Sequence, residues 1–277
     1  MNSMTMNDDE AMAHIRDHLL KSRGIDISGY SPTFMMRSLR KRMGRSSMPD
    51  VESYVDLLIH DDAETTELIS ALSINVTEFF RDDGAFEALS EKIIRPLLRS
   101  KRETGGILRI WSAGCATGQE TYTIAICLNE EMRRANMPED MVASITGTDI
   151  SASALAFARK GDYSESLVKN VPTYLLKRYF IKNESSYEIK DLLRKRVRFM
   201  KEDLMETPKS KFFDAIICRN VLIYFSRPSH DEVIENLHES LRSGGFLMLG
   251  RTEALMGRVR ANFEMIDPEN RIFVKVS

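Results

Sequence analysis

Glu120 lies two residues beyond Gly118, inside the stretch ILRIWSAGCATGQETYTI that runs from Ile107 to Ile124. An apolar, β-prone run (Ile107, Leu108, Ile110, Trp111) leads into Gly114 and Gly118, and a helix-forming run follows at once. That is the pattern of a strand, a glycine turn and a helix. Such a unit brings backbone N–H groups and a helix N-terminus up to a ligand, because glycine tolerates positive φ and lets the backbone come close. A phosphate cradle is built to hold negative charge and has no use for a carboxylate, and no Lys-Ser or Lys-Thr pair follows the turn. Glu120 therefore suits a cationic or zwitterionic ligand. S-adenosylmethionine, which carries an ammonium and a sulfonium and no phosphates, has that charge pattern. On these residues alone, a tight βα turn that binds nothing stays open as the alternative.

Three further groups of residues carry chemistry. Ser144 to Ile150 reads SITGTDI, a strand that ends in Asp149, and an acid at the end of the second strand of such a fold can accept from ribose hydroxyls. NVTEFFRDDG, from Asn75 to Gly84, interleaves polar Asn75, Thr77 and Arg81 with Phe79 and Phe80. The mixture suits a strip pinned by its rings while its polar groups face a cleft; a linker with two buried rings is the plainer reading. Finally, a helix that Ser31 can cap and Pro32 can open carries an apolar stripe of Met35, Met36, Leu39 and Met43. At about 100° per residue, Arg37, Arg40, Lys41 and Arg45 fall on the opposite face, with Arg42 at the edge of the stripe. No acid pairs with these cations along the helix, so an acidic partner competes evenly with an ordinary solvated face as the explanation.

Hydrophobic periodicity supplies the elements that must hold these groups. Residues 1–75 read as a helical domain: Met12, Ile15 and Leu19 share a face that stops at Gly24, the basic helix follows, a third helix opens at Pro49, and a fourth carries Leu68, Ile69 and Leu72. Residues 76–104 are a linking segment and a helix with Phe86, Leu89, Ile93 and Ile94, bent or ended near Pro96. From 105 to 277 helices and strands alternate, broken at about 162–195 by a small antiparallel insert with a hairpin around Asn183 to Ser186. Strand signals return at VRFMKEDL, FFDAIICRN and GGFLMLG, and FEMIDPENRIFVKV closes the chain as an antiparallel pair.

Composition narrows the classes. The 277 residues suffice for a full core, and 43% hydrophobic with 29% charged residues is the balance of a globular protein. A net charge of −2 excludes a molecule that is basic overall and binds nucleic acid by charge alone. The opening MNSMTMNDDE is acidic and lacks the apolar core of a signal peptide. Cys115, Cys127 and Cys218 are odd in number and lack CxxC spacing, as expected of reduced thiols in a cytoplasmic protein. His14 and His18 lie a turn apart without the glutamate of a zinc-protease helix, so no metal is expected.

SAGCATGQE, NVTEFFRD, GTDIS and CRNVLIYF, in this order and spacing, resemble the chemotaxis receptor methyltransferases of the CheR type, and the likeness covers nearly the whole chain. The resemblance implies an α/β class I S-adenosylmethionine methyltransferase fold. It is Rossmann-like with an antiparallel final strand, a small inserted antiparallel β-subdomain and an N-terminal all-α domain. It implies methyl transfer from S-adenosylmethionine to glutamate side chains in the cytoplasmic helical region of chemoreceptors, with no nucleic acid and no membrane insertion. Position by position, Asn75, Thr77 and Arg81 match residues that cover the cofactor, Glu120 the acid that binds the ammonium, and Asp149 the acid that holds the ribose. Asp203 and Leu204 match the pair beside adenine, and Arg219 and Asn220 the pair near the methionine moiety. Arg81 and Tyr224 match residues that orient the accepting carboxylate, and Arg37, Arg40, Lys41 and Arg45 gain a docking role. The family commonly has Asn, Pro and His where Asp203, Thr121 and Arg251 stand. Two rivals differ in class. A nucleic-acid methyltransferase would usually carry an (Asn/Asp)-Pro-Pro-aromatic turn where this chain has Asn220-Val221-Leu222-Ile223. A sensing module that binds the cofactor without transferring methyl would have no need of Arg81 and Tyr224.

Overall fold

The computed structural model describes residues 6–72, 77–82, 84–137 and 142–276. The chain forms two compact units: Met1–Asn75 with the returning segment Tyr224–His230, and Val76–Ile223 with Asp231–Ser277.

The first unit is built on α1 (Asp8–Arg23), α2 (Pro32–Arg45), α3 (Val51–His60) and α4 (Asp62–Leu72). Asn7 and Glu10 close a capping box on α1, and Gly24 ends it at φ 63°, where a side chain would be strained. On α2 the Ser31 hydroxyl makes no capping bond, contrary to expectation. The Ser31 N–H instead donates to the Tyr224 carbonyl at 2.9 Å, and Pro32 presets the first turn. The buried face of α2 is also turned from the expected stripe. Phe34, Met35, Ser38, Leu39 and Arg42 face inward, while Met36 and Met43 are half-buried. α3 opens at Val51 and not at Pro49, and Asp50 caps it, accepting from the Ser53 N–H at 2.8 Å.

The second unit begins with α5 (Ala85–Ala88), a π-helical turn (Leu89–Ile94) and α6 (Arg95–Thr104), which run on without a break. Pro96 was expected to bend or end this helix. Proline has no N–H, and its ring would strike the carbonyl one α-turn back. The widened turn ahead of it, in which the Arg95 N–H reaches the Ser90 carbonyl, accommodates both.

β1 (Leu108–Ala113), α7 (Gln119–Arg134), β2 (Ala143–Asp149), α8 (Ala152–Lys160), β3 (Asp162–Ser164), α9 (Thr173–Tyr179), β4 (Phe180–Lys182), β5 (Ser186–Ile189) and α10 (Asp191–Arg194) follow. The chain continues with β6 (Val197–Lys201), β7 (Phe213–Cys218), α11 (Arg227–Ser240), β8 (Leu241–Leu249), β9 (Phe263–Asp267) and β10 (Ile272–Lys275). Seven strands form one sheet in the order β6-β2-β1-β7-β8-β10-β9. The first five are parallel, and β10 enters antiparallel to both its neighbours. This is the α/β class I methyltransferase fold, with an N-terminal all-α domain. β3, β5 and β4 make the small separate antiparallel sheet.

The order reverses at β1, where β2 lies to one side and β7 to the other. A cleft opens beyond the carboxyl ends of strands at such a switch point. α7 starts there and is buried over 13 of its 16 residues. A helix covered on nearly every side has its N-terminus rigidly placed. Leu108, Ile110, Ile145, Ala215, Ile217 and Met248 of the sheet form one core cluster with Leu89, Ile93, Ile94 and Leu97.

Candidate active site

Gly114 and Gly118 both adopt positive φ, 71° and 91°. Their crowding comes from the chain itself and not from room reserved for a ligand. A Cβ on Gly114 would stand 2.5 Å from Val221 Cγ2, and one on Gly118 would stand 2.8 Å from Ala158 Cβ. The turn is thus forced into shape by the loop after β7 and by α8, and it delivers Glu120 into the first turn of α7.

Glu120 is 8% exposed. Its Oε1 accepts from the Ser112 hydroxyl at 3.0 Å, and its Oε2 lies 3.6 Å from Arg219 Nη1. Burial pushes its carboxyl up to about 7 against the pull of Arg219; Glu253 adds to the rise and Arg81 opposes it. Among the described residues this buried carboxylate accepts a hydrogen bond from Ser112, and it is suited to a cation that brings further donors.

Arg219 is buried behind it. Its Nη2 donates to Asp82 Oδ2 at 2.5 Å and to the Arg81 carbonyl at 3.3 Å, and its guanidinium lies over the Phe86 ring at 5.2 Å. Arg219 therefore ties the Phe79–Asp82 strip to Glu120. Phe79, fully buried, anchors that strip edge-on to Tyr163 and Phe180, at 5.0 and 5.5 Å between centroids. Arg81 and Thr77 are half-buried beside it. Asn75 lies outside the described residues.

Asp149 closes β2 as expected and is almost fully buried. Its Oδ2 accepts from the Ala116 N–H at 2.8 Å and its Oδ1 from the Ser151 N–H at 2.9 Å. Burial raises its carboxyl, and those N–H groups hold it back. Each oxygen keeps capacity for a further donor. Asp203 is half-buried after β6, with Oδ1 accepting from the Met205 N–H at 2.9 Å, and Leu204 is buried next to it.

Asn220 sits in the left-handed region at φ 61° immediately after Arg219. Its N–H donates to the Glu253 carboxylate at 2.9 Å. Asp82 and Glu253 were not singled out from the sequence. The acid directly after Arg81 and the acid three residues beyond Gly250 were the signals available.

Tyr224 belongs to the first unit, where its ring packs on Phe34 at 4.8 Å. Arg37, Arg40, Lys41 and Arg45 are all exposed on α2. Arg42 turns inward and is taken up by Glu64 and Glu67, and Asp8 of α1 pairs with Arg40 at 3.1 Å. Neighbouring helices thus supply acids to Arg40 and Arg42.

The second unit's residues fit S-adenosylmethionine. Glu120 offers an under-coordinated buried acid for the ammonium, and Asp149 offers lone pairs at the end of β2 for the ribose hydroxyls. The three cysteines are buried free thiols. Among the described residues no group of histidines, cysteines and acids is placed to hold a metal, and no helix is long and apolar enough to cross a membrane.

Comparison with known proteins agrees. The family model described as CheR methyltransferase, SAM binding domain, matches residues 75–272, and its all-alpha domain matches residues 10–73. The chemotaxis protein methyltransferase of Borreliella burgdorferi is 34% identical over 252 residues, 88% of this chain and 87% of its own. Chemotaxis protein methyltransferase 2 of Vibrio cholerae is 31% identical over 271 residues, 96% of this chain and 92% of its own. An uncharacterised 104.1 kDa protein of Rhodobacter capsulatus is 34% identical over 264 residues, 95% of this chain; the chain spans 27% of that longer protein. The chain belongs to the CheR methyltransferase family and uses S-adenosylmethionine as its methyl donor.

Proposed function

We propose that this protein methylates glutamate side chains in the cytoplasmic helical region of a chemoreceptor, forming methyl esters for sensory adaptation, and that it works in the cytoplasm. The observation that carries this reading is Arg81. Its carbonyl accepts from Arg219 Nη2 at 3.3 Å, and the same Arg219 stands 3.6 Å from Glu120. A guanidinium at that place suits an anionic acceptor.

The bound donor supplies an electrophilic methyl group on a sulfonium centre. Glutamate, with a reference pKa of about 4.3, is already ionised at neutral pH, so the chain needs no general base. Its task is to draw a carboxylate out of water, which costs several kcal/mol or more if the anion stays unpaired. Arg81 offsets that cost with two parallel hydrogen bonds that fix the acceptor's direction. Glu120 and Asp149 hold the two ends of the donor, with Thr77, Asp203, Leu204, Arg219 and Asn220 around them. By the family likeness, Tyr224 has a lesser part in orienting the acceptor.

Receptor-containing membranes and radioactive methyl donor test the reading through base-labile release of volatile methanol. Esters release it and methylated nitrogens do not; label on nucleic acid, or no label, would sink the proposal. Arg81→Ala should lower turnover by about 10²–10³-fold, on the scale of removing one aimed donor from a charged site. Tyr224→Phe should cost far less.

A further inference from the structure

Glu253 is 3% exposed, and its carboxylate accepts from four backbone N–H groups on two separate loops. Oε2 takes Asn220 at 2.9 Å and Gly250 at 2.6 Å; Oε1 takes Val221 at 2.8 Å and Leu222 at 2.7 Å. Four donors use nearly the whole acceptor capacity of a carboxylate, and bonds to an ionised acceptor are the strong kind. The fit is close. A Cβ on Gly250 would lie 2.7 Å from Glu253 Oε2 and 2.9 Å from the Asn220 nitrogen. Asn220 is held at φ 61°, a conformation that non-glycine residues keep only where surroundings impose it.

We propose that Glu253 is a positioning residue: its carboxylate locks the loop after β7 so that Asn220 and Arg219 present the end of the site that takes the amino-acid part of the donor. This rests on the assignment of Glu120, Arg219 and Asn220 to that end, and is independent of which acceptor is methylated. The charge of Glu253 also bears on Glu120, raising its carboxyl while Arg219 and Arg81 lower it. A loop merely tethered for stability would serve the whole site equally. A loop aimed at one end would not.

Glu253→Gln keeps the shape but turns one acceptor into a donor that faces N–H groups. Two ligands distinguish the roles: S-adenosylhomocysteine, which has the amino-acid part, and 5′-methylthioadenosine, which lacks it. By calorimetric titration of the full chain, Glu253→Gln should weaken the first at least tenfold and the second by less than twofold. The acid-side midpoint of S-adenosylhomocysteine binding should also move to lower pH, since a charge that raises Glu120 has gone. Equal weakening of both ligands, or none, overturns the inference. If Glu253→Gln does not fold, Glu253→Asp, which keeps both oxygens but draws them back, should show the same split at about threefold. Loss of the fold in both variants overturns it in favour of a purely architectural role. Should wild type bind both ligands yet methylate no receptor, the acceptor reading fails while this one stands.

Discussion

Each unit buries an arginine against carboxylates, and the two clusters are finished differently. In the helical unit Arg42 grips Glu64 with two bonds, Nε to Oε1 at 2.9 Å and Nη2 to Oε2 at 2.5 Å; Tyr54 adds its hydroxyl at 2.8 Å. Burial alone would raise Glu64, but these donors outweigh it and hold its carboxyl below the usual range. In the methyltransferase unit Arg219 has its strong bond to Asp82 and only a 3.6 Å approach to Glu120, and its Nε has no partner among the described residues. There burial wins, and Glu120 rises to about 7. A cluster whose donors and acceptors match is architecture. One left short of donors around a buried acid is a place kept for a ligand.

If that distinction holds, breaking the closed cluster should cost stability and spare binding. Glu64→Gln leaves buried Arg42 with only the exposed Glu67 as its anion, so the cost should approach the roughly 3–5 kcal/mol typical of breaking a buried pair. Denaturant unfolding of the helical unit should show a loss of that order, while S-adenosylhomocysteine affinity of the folded protein stays within about twofold. A variant as stable as wild type would remove the architectural reading of Arg42.

Breaking the open cluster should do the reverse. Glu120→Gln removes the proposed charge-assisted bond to the ammonium and should weaken S-adenosylhomocysteine by about 2–3 kcal/mol, roughly 30- to 160-fold, without loss of stability. Holding an acid at about 7 instead of 4.5 means that protonated Glu120 favours the fold. That contribution is complete below about pH 4.5 and is lost as pH rises through about 7. The glutamine variant should therefore be at least as stable at pH 8. Wild-type binding should tighten by close to tenfold from pH 6 to pH 7.5 as Glu120 ionises, and the variant should not follow. A flat wild-type profile would mean that Arg219 and Arg81 already keep Glu120 charged.

Much of this site was legible in the sequence, because its residues sit where local pattern is strong. Glu120 and Asp149 stand at strand and helix junctions that periodicity marks, and the rings of Phe79 and Phe80 announced an anchored strip. What escaped was set by contacts far along the chain. Glu253 meets Asn220 across 33 positions and Asp82 meets Arg219 across 137; no spacing rule reaches that far. The π-helical turn before Pro96 is a second case, in which tertiary packing kept a helix whole that local chemistry would break. Arg42 is a third. At the edge of an apolar stripe it reads equally as surface or core, and only Glu64 from another helix decides.

Arg42 also changes what α2 has to offer a partner. Of five cations within nine positions, one is buried with Glu64, Arg40 pairs with Asp8, and Arg37 lies over the Phe34 ring at 5.9 Å. Lys41 and Arg45 are exposed and make no ion pair among the described residues. If α2 docks on the acidic face of a receptor helix, these two have least to give up in turning toward it, and Arg37 and Arg40 come second. Reversing both Lys41 and Arg45 to Glu should raise the apparent KM for receptor about three- to tenfold at low salt, leaving kcat and cofactor affinity alone. Exposed charges are screened, so wild type and variant should converge as salt approaches about 0.5 M. A variant equal to wild type at low salt would mean that the basic face of α2 is only solvated, and that the helical unit's one consequential arginine is the buried one.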